Sequence, residues 1–224
     1  MQIITPFGVQ ALCKRCGECC EKGSPTLHIS DSELIKNGTL TYSDLFTIRE
    51  GELVYNNIDD EFVTIDYELI KLREKPSGRV CIFYNEDSKE CPIYENRPNQ
   101  CRAYECWDTQ KFMTFFNSEE KLTREHIIYN MGFLKEIVNK HEVKCSYANL
   151  SDIVQRIQKG TDMVSELFEI IEYDNTLRHF LTEKSGIHED HLPLLLGRPI
   201  IQTIIMYGYR IESNDAGTYT LVAI

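Results

Sequence analysis

The second half of the chain carries apolar residues at helical spacing. From residue 117 onward, the apolar positions recur every three or four residues: Ile127, Ile128, Met131, Leu134, Ile137 and Val138. This spacing places side chains on one face of an α-helix, so the pattern predicts a long amphipathic helix. We expect Asn117 or Ser118 to cap its N-terminus.

Further helical runs follow this first one. One is predicted to open at Ser151 and to be interrupted near Gly160. The next spans residues 163–180, and the last begins at Pro199, because proline suits the first turn of a helix. The tail, YRIESNDAGTYTLVAI, predicts a terminal β-hairpin with its turn at residues 213–217.

The first hundred residues have a different pattern, in which short apolar segments are separated by polar turns. Four segments are predicted as short strands, the last three with a single helical turn as the alternative: TLHI (26–29), LFTI (45–48), ELVY (52–55) and ELIKL (68–72). Ser30 and Glu33 predict a capping box for a short helix ending near Gly38. Residues 79–94 predict a hairpin that brings Cys81 and Cys91 close together.

Charge and hydropathy exclude two classes of partner. The formal net charge is −11, from 24 Lys and Arg against 35 Asp and Glu, so a nucleic-acid phosphate backbone is repelled. No segment approaches the roughly 20 apolar residues that a membrane span requires. The first residues also lack the basic and apolar regions of a secretion signal. We therefore expect a cytoplasmic protein that binds neither nucleic acid nor membrane.

The cysteines are concentrated in the first half of the chain. Of nine, eight precede residue 107: Cys13, Cys16, Cys19, Cys20, Cys81, Cys91, Cys101 and Cys106. A reducing cytosol keeps thiols free, so clustered cysteines there indicate metal binding or redox chemistry rather than disulfides or buried thiols. The ninth, Cys145, is expected to be an unpaired thiol at a helix junction.

The stretch CKRCGECC contains the densest cysteine spacing. Cys13, Cys16 and Cys19 are separated by two residues each, which suits zinc and also matches three corners of a ferredoxin iron–sulfur cube. The fourth cube ligand is a distant cysteine followed by proline, and Cys91 precedes a proline here. Because adjacent side chains diverge, we expect Cys19 and Cys20 to face different metals or different corners of one centre.

The second cluster is CPIYENRPNQCRAYEC (91–106). Arg97 and Arg102 flank its cysteines, and guanidinium groups offset the surplus negative charge of several thiolates. We count Cys81 with this second cluster, so that four cysteines of CKRCGECC and four from residues 81–106 make either two four-sulfur sites or one polynuclear site, and the spacing leaves both possibilities open.

These two motifs together resemble the CxxCxxCC family, also called YkgJ-type, of zinc- or iron-chelating proteins. The resemblance covers residues 13–107 and is most specific at CGECC and IYENRPNQCR. It implies that all eight N-terminal cysteines are metal ligands. A more distant similarity is to flagellin lysine methylases, which carry a cysteine-bound iron–sulfur cluster.

The predicted fold is α+β. A cysteine-rich metal-binding domain of loops and short strands (1–116) is expected to pack against a mainly helical domain with a small terminal hairpin (117–224). The first functional hypothesis is a non-catalytic protein that holds an iron–sulfur cluster, iron or zinc and serves metal handling, electron transfer or a protein or peptide partner. The alternatives are an iron–sulfur or iron-dependent enzyme that modifies a peptide, and a thiol–disulfide switch.

Overall fold

The computed structural model describes residues 13–56, 60–76, 78–118, 120–213 and 219–224. These residues form two compact units. Residues 13–44 and 71–122 make the first, which we call the cysteine unit, and residues 45–70 and 123–224 make the second, the helical unit. No helix in the described ranges is long and apolar enough to cross a membrane. The division into domains 1–116 and 117–224 stays a prediction.

The cysteine unit contains four short helices joined by irregular backbone. They are α1 (Glu18–Glu21), α2 (Ser32–Lys36), α3 (Asn99–Ala103) and α4 (Thr109–Ser118). Its buried apolar side chains include Leu27, Leu40, Tyr84, Phe112 and Leu122, none more than 8% exposed. A core this small leaves much of the unit to be ordered by other contacts, and those contacts involve the cysteine loops.

One predicted strand and one predicted hairpin of this unit are replaced by isolated bridges. Thr26 bridges Lys71 and His28 bridges Lys121, so TLHI pairs at single residues only. Within 79–94 one bridge, from Asn85 to Glu90, closes the predicted turn without regular strands on either side. The short helix predicted before Gly38 is confirmed as α2, preceded by a 3₁₀ turn at Ile29–Asp31.

Six strands, in pairs, make up the β structure in the described ranges. They are β1 (Leu45–Ile48), β2 (Leu53–Asn56), β3 (Glu61–Thr64), β4 (Leu69–Leu72), β5 (Tyr209–Ser213) and β6 (Tyr219–Ala223). β1 pairs with β4, β2 pairs with β3 in antiparallel register and β5 pairs with β6. LFTI, ELVY, ELIKL and the terminal hairpin are thus confirmed as strands. The predicted turn at 213–217 lies outside the described residues except for its first residue.

The helices of the helical unit are α5 (Arg124–Ile128), α6 (Gly132–Lys144), α7 (Tyr147–Gln158), α8 (Val164–Ser185), α9 (Leu192–Leu196) and α10 (Ile200–Thr203). The long helix predicted from Asn117 or Ser118 is wrong, because α4 ends there. Thr123 caps α5 through a capping box with His126, which opens a new helix inside the apolar repeat. The α7 helix begins before the predicted Ser151, because the Ser146 side chain accepts from the Asn149 N–H and caps it.

The apolar core of the helical unit lies among α7, α8 and α10. Its fully buried members include Tyr147, Leu150, Leu167, Ile171 and Ile200, each 0% exposed. Burying one such aliphatic side chain stabilises a fold by about 1.5–3 kcal/mol. The helical periodicity that predicts these helices therefore also supplies their core, and the α+β class is confirmed.

Candidate metal centre

The CKRCGECC loop turns at Gly17, immediately before α1. Gly17 has φ 84°, a left-handed conformation that glycine adopts without strain, and its carbonyl accepts from the Cys20 and Glu21 N–H groups. The Tyr84 hydroxyl lies over this turn and donates to the Cys16 carbonyl at 3.3 Å. A Cβ at position 17 would lie 1.6 Å from the Tyr84 oxygen, so both backbone and packing require glycine here.

The adjacent sulfurs of Cys19 and Cys20 lie 4.0 Å apart. Two thiolates bound at about 2.3 Å to one tetrahedral zinc ion are about 3.8 Å apart, so the pair has the spacing of one tetrahedral edge. The divergence of neighbouring side chains expected from the sequence therefore does not extend to these sulfurs. A hydrogen bond from the Cys20 thiol lowers the pKa of Cys19 to about 6, and the same bond raises the pKa of Cys20.

Two backbone atoms join the first cysteine cluster to the second. The Cys81 N–H donates to the Cys20 carbonyl at 2.8 Å, although the two residues are far apart in the sequence. Burial raises the pKa of Cys81 to about 11, and the negative charge of Cys91 adds to this effect. The expected proximity of Cys81 and Cys91 is therefore present without a regular hairpin.

Five thiols form a mutually interacting set, which we call the inner thiols: Cys19, Cys20, Cys81, Cys91 and Cys101. Burial raises the pKa of Cys101, and the thiolates of Cys81, Cys19 and Cys91 raise it further. Burial likewise raises the pKa of Cys91, to which the charge of Cys19 contributes. The negative charges of these thiolates repel one another, so bringing them together costs electrostatic energy unless a metal cation binds among them.

We call the other three thiols of the predicted set the outer thiols: Cys13, Cys16 and Cys106. They are exposed, as is Cys19 of the inner thiols. In the described ranges, no three Cys, His, Asp or Glu side chains stand close enough together to hold a metal ion. The thiol donors are chemically suited to zinc or iron, but the described residues do not form a closed coordination shell. Ligation by all eight cysteines stays a prediction.

Asp31 positions the helix that carries Cys101. Its carboxylate is 1% exposed and accepts from the Asn99 N–H at 2.8 Å, at the start of α3, and from the His28 N–H at 3.0 Å. One buried carboxylate thus ties the N-terminal segment to the second cysteine cluster. Sequence reasoning missed it; the available signal was an Asp directly before a short helix, where side chains bond to free backbone N–H groups.

The two arginines of the second cluster have different partners. The positive charge of Arg97 opposes the rise in pKa of both Cys91 and Cys101, as expected for a countercharge to thiolates. Arg102 instead donates from Nε to the Arg97 carbonyl at 3.0 Å and from its terminal nitrogen to the Glu95 carbonyl. Arg102 therefore holds the backbone on which Arg97 stands.

Cys145 lies outside this set, in the helical unit. It is 0% exposed at the junction of α6 and α7, as predicted, and burial raises its pKa to about 12. All nine cysteines of the chain are free thiols. The disulfide alternative therefore finds no support in this structure.

The helical unit encloses an ionic network that sequence reasoning did not find. Four arginines face four carboxylates: Arg49, Arg124, Arg178 and Arg198, with Glu52, Glu68, Glu142 and Asp174. His141 lies within it, donating from Nε2 to Asp174 at 2.8 Å. Its Nδ1 faces an Arg49 nitrogen at 3.5 Å, and because arginine only donates, Nδ1 is the unprotonated atom. His141 and Asp174 are both 0% exposed, so these two side chains are closed to a substrate.

An open groove of about 600 Å³ also lies in the helical unit, beside Gly51, Tyr147, Ser151, Gln155 and Tyr207. The described residues that line it include no cysteine and no histidine. No cysteine or histidine among its described lining residues is therefore available to bind a metal or to act as a nucleophile.

Comparison with known proteins identifies a family. Residues 12–146, more than half of the chain, match the family model CxxCxxCC, whose description is "Putative zinc- or iron-chelating domain". No solved structure matches the chain.

Proposed function

Because this chain belongs to the CxxCxxCC family, we propose that it is a cytoplasmic metal-binding protein whose two cysteine clusters build one shared thiolate centre. The eight cysteines of the clusters are the proposed ligands, and zinc, iron or an iron–sulfur cluster is the proposed occupant. A reducing compartment belongs to the proposal because it keeps these thiols free to bind metal.

The observation that carries the proposal is the hydrogen bond from Cys81 N–H to the Cys20 carbonyl, at 2.8 Å. This bond joins a proposed ligand of the first cluster, Cys20, to a proposed ligand of the second, Cys81. The charge of Cys101 also acts on Cys20, and that of Cys19 acts on Cys91. These interactions cross between the clusters, which supports a shared centre over one four-sulfur site in each cluster.

The chemistry of the sulfur donors limits which metals are proposed for the site. A site rich in thiolates selects zinc or iron over hard cations such as magnesium and calcium. The 4.0 Å separation of the Cys19 and Cys20 sulfurs supports at least one tetrahedral ion that takes both. The two successive Cys-x2-Cys spacings, from Cys13 to Cys19, and the Cys91-Pro92 pair support an iron–sulfur cluster as the alternative to a single metal ion.

The proposed role is metal handling, electron transfer or service to a protein partner. The outer thiols, Cys13, Cys16 and Cys106, are exposed, and exposed thiols suit ligand exchange with another protein. The enzymatic alternative, modification of a peptide by an iron or iron–sulfur centre, stays a prediction. A change in the visible spectrum on adding a peptide distinguishes it from the binding role.

The test measures metal and acid-labile sulfide in anaerobically purified protein and in three variants. Cys20→Ser and Cys101→Ser each remove one ligand from a different cluster, and the double variant combines them. One shared centre predicts that each single variant and the double variant lose the same number of metal equivalents. Colourless protein with zinc identifies a zinc centre, whereas brown protein with sulfide identifies an iron–sulfur cluster.

Cys145→Ala is the matched control, because Cys145 is a buried cysteine of the helical unit and is not a proposed ligand. It should retain full metal content. Single variants that each lose half of the metal, with the double variant losing the sum, would contradict the shared centre. Wild-type protein without bound metal would contradict the proposed function itself.

A further inference from the structure

Two arginines from different cysteine clusters stack on one tyrosine in the cysteine unit. The guanidinium carbon of Arg15 lies 4.0 Å from the centroid of the Tyr94 ring, and that of Arg97 lies 3.9 Å from it. Both guanidinium groups therefore contact the same ring. Arg15 also forms an ion pair with Glu95 at 3.2 Å, across 80 residues of sequence.

The Arg15 end of this stack is part of the first cysteine loop. Arg15 has φ 56°, a left-handed conformation that residues other than glycine rarely adopt. Its N–H points to the Cys13 sulfur at 3.4 Å, the kind of contact that orients a thiolate ligand. The position of the Arg15 side chain is therefore coupled to the backbone that carries Cys13 and Cys16.

The Tyr94 end is held rigidly beside the second cluster. Arg97 donates to the Tyr94 carbonyl at 2.6 Å, and Arg102 donates to the Arg97 carbonyl at 3.0 Å. The Tyr94 N–H donates to the Cys91 carbonyl at 3.0 Å. The ring thus presents a fixed platform, one turn away from a proposed ligand, on which the first loop docks through Arg15.

We propose that Arg15, Tyr94 and Arg97 form a clasp that closes the Cys13–Cys16 loop over the metal centre and slows metal release. This inference rests on the proposed function, and the three residues are positioning residues rather than ligands. Two cations on one ring repel each other, whereas four thiolates around a divalent ion carry a net charge of about −2 that attracts both. The bound centre and the closed clasp therefore stabilise each other.

The experiment follows transfer of metal from the anaerobic holoprotein to an excess of a coloured chelator. Tyr94→Leu removes the ring and Arg15→Ala removes one cation, whereas Tyr94→Phe keeps the ring and loses only the hydroxyl. We expect the first two variants to release metal about tenfold faster than wild type, with unchanged metal equivalents at the start. Tyr94→Phe should release metal at close to the wild-type rate, because the ring face carries the interaction.

Arg156→Ala is the matched control, since Arg156 also forms an exposed ion pair, with Asp152 at 2.9 Å, but lies in the helical unit. It should leave the rate unchanged. The clasp is overturned if Arg15→Ala and Tyr94→Leu release metal at the wild-type rate, or if Tyr94→Phe releases it as fast as Tyr94→Leu. Wild type that binds no metal overturns the proposed function and the clasp together, so the two failures are distinguishable.

Discussion

The two compact units of this protein keep ionisable groups in their interiors by different means. In the cysteine unit burial raises the pKa of Cys81, Cys91 and Cys101, and the negative charges of neighbouring thiolates raise it further. In the helical unit the buried charges are already matched. Asp174, for example, accepts from His141, from Arg178 and from the Ile200 N–H.

This difference shows which unit would take its balancing positive charge from a group that the chain does not supply. Hydrogen bonds to the ionised form hold the pKa of Asp174 down to about 2, although burial alone would raise it. Burial raises the pKa of Cys101, and the charges of Cys81, Cys19 and Cys91 add to that rise. The helical unit therefore has its counterions within its own sequence, whereas in the cysteine unit the proposed metal cation would supply that positive charge.

Removing the metal should produce the largest difference between the two units. A structural zinc ion contributes about 10–16 kcal/mol in small metal-binding domains, comparable to the whole stability of a typical domain. We expect an anaerobic chelator to increase amide hydrogen exchange throughout residues 13–44 and 71–122 while leaving α7 and α8 protected. The same chelator saturated with zinc is the control. Equal exchange in both units, or unchanged thermal unfolding, would contradict the assignment of metal dependence to one unit.

The next largest effect is expected inside the ionic network. Asp174→Ala leaves Arg178 and His141 buried without their shared carboxylate, and breaking a buried ion pair costs about 3–5 kcal/mol. Urea unfolding measures this loss, and metal content should stay at the wild-type value. Asp152→Ala is the control, since its ion pair with Arg156 is exposed and contributes under about 1 kcal/mol. Equal losses in the two variants would mean that the network is not a stability element.

A pair of glycines in the cysteine unit tests how much the contact with Tyr84 contributes to stability. Gly17 and Gly38 both have positive φ, but an added Cβ meets Tyr84 at Gly17 and nothing within 4 Å at Gly38. Gly17→Ala should therefore cost about 1–3 kcal/mol more than Gly38→Ala, because overpacking adds to backbone strain. Thermal unfolding gives the stability and metal analysis gives the content. Identical behaviour of the two variants would show that the contact of Tyr84 with the cysteine loop is dispensable.

The smallest effect concerns pH in the helical unit. Burial lowers the pKa of His141, and the facing charges of Arg49 and Arg178 lower it further, while Asp174 opposes them. Since the folded state favours neutral His141, its contribution is complete above the ordinary pKa of about 6.5 and is lost as pH falls below that value. The Asp174 carboxylate does not titrate in this range, because its pKa is about 2.

We expect the unfolding free energy of wild type to fall by about 1 kcal/mol more than that of His141→Gln between pH 6.5 and pH 5. Taking the difference between the two proteins cancels any metal loss caused by protonation of thiols. Parallel pH profiles would mean that folding does not lower the pKa of His141.

The fold was predictable where one stretch of chain decides its own conformation. The short apolar segments LFTI and ELIKL predict β1 and β4, with a helical turn as the alternative, and the helical runs from Ser151 and over residues 163–180 predict α7 and α8. The errors occurred where a cap inside a continuous apolar pattern starts a new helix, as Thr123 does before α5. Helical periodicity continues through such a break, because the helices on either side bury the same kind of face.

The sequence predicts the donor type of the candidate site but not the arrangement of its cysteines. Cysteine spacing and type point to metal on their own, since tight loops of thiolates are costly without a cation. Which cysteines meet was not predictable. The bond between Cys81 and Cys20, the buried carboxylate of Asp31 and the stacking of Arg15 on Tyr94 all join residues that are distant in the sequence.

The sequence by itself therefore determined the donor chemistry, the helical second half and the terminal hairpin, because these depend on neighbouring residues. Tertiary structure alone decided that the Cys81 N–H donates to the Cys20 carbonyl, although these residues are far apart in the sequence. It also decided that His141 lies between Arg49 and Asp174, which come from positions 92 residues before it and 33 residues after it. The physical reason is that charge pairing and packing act through space, and distant segments become neighbours when the chain folds.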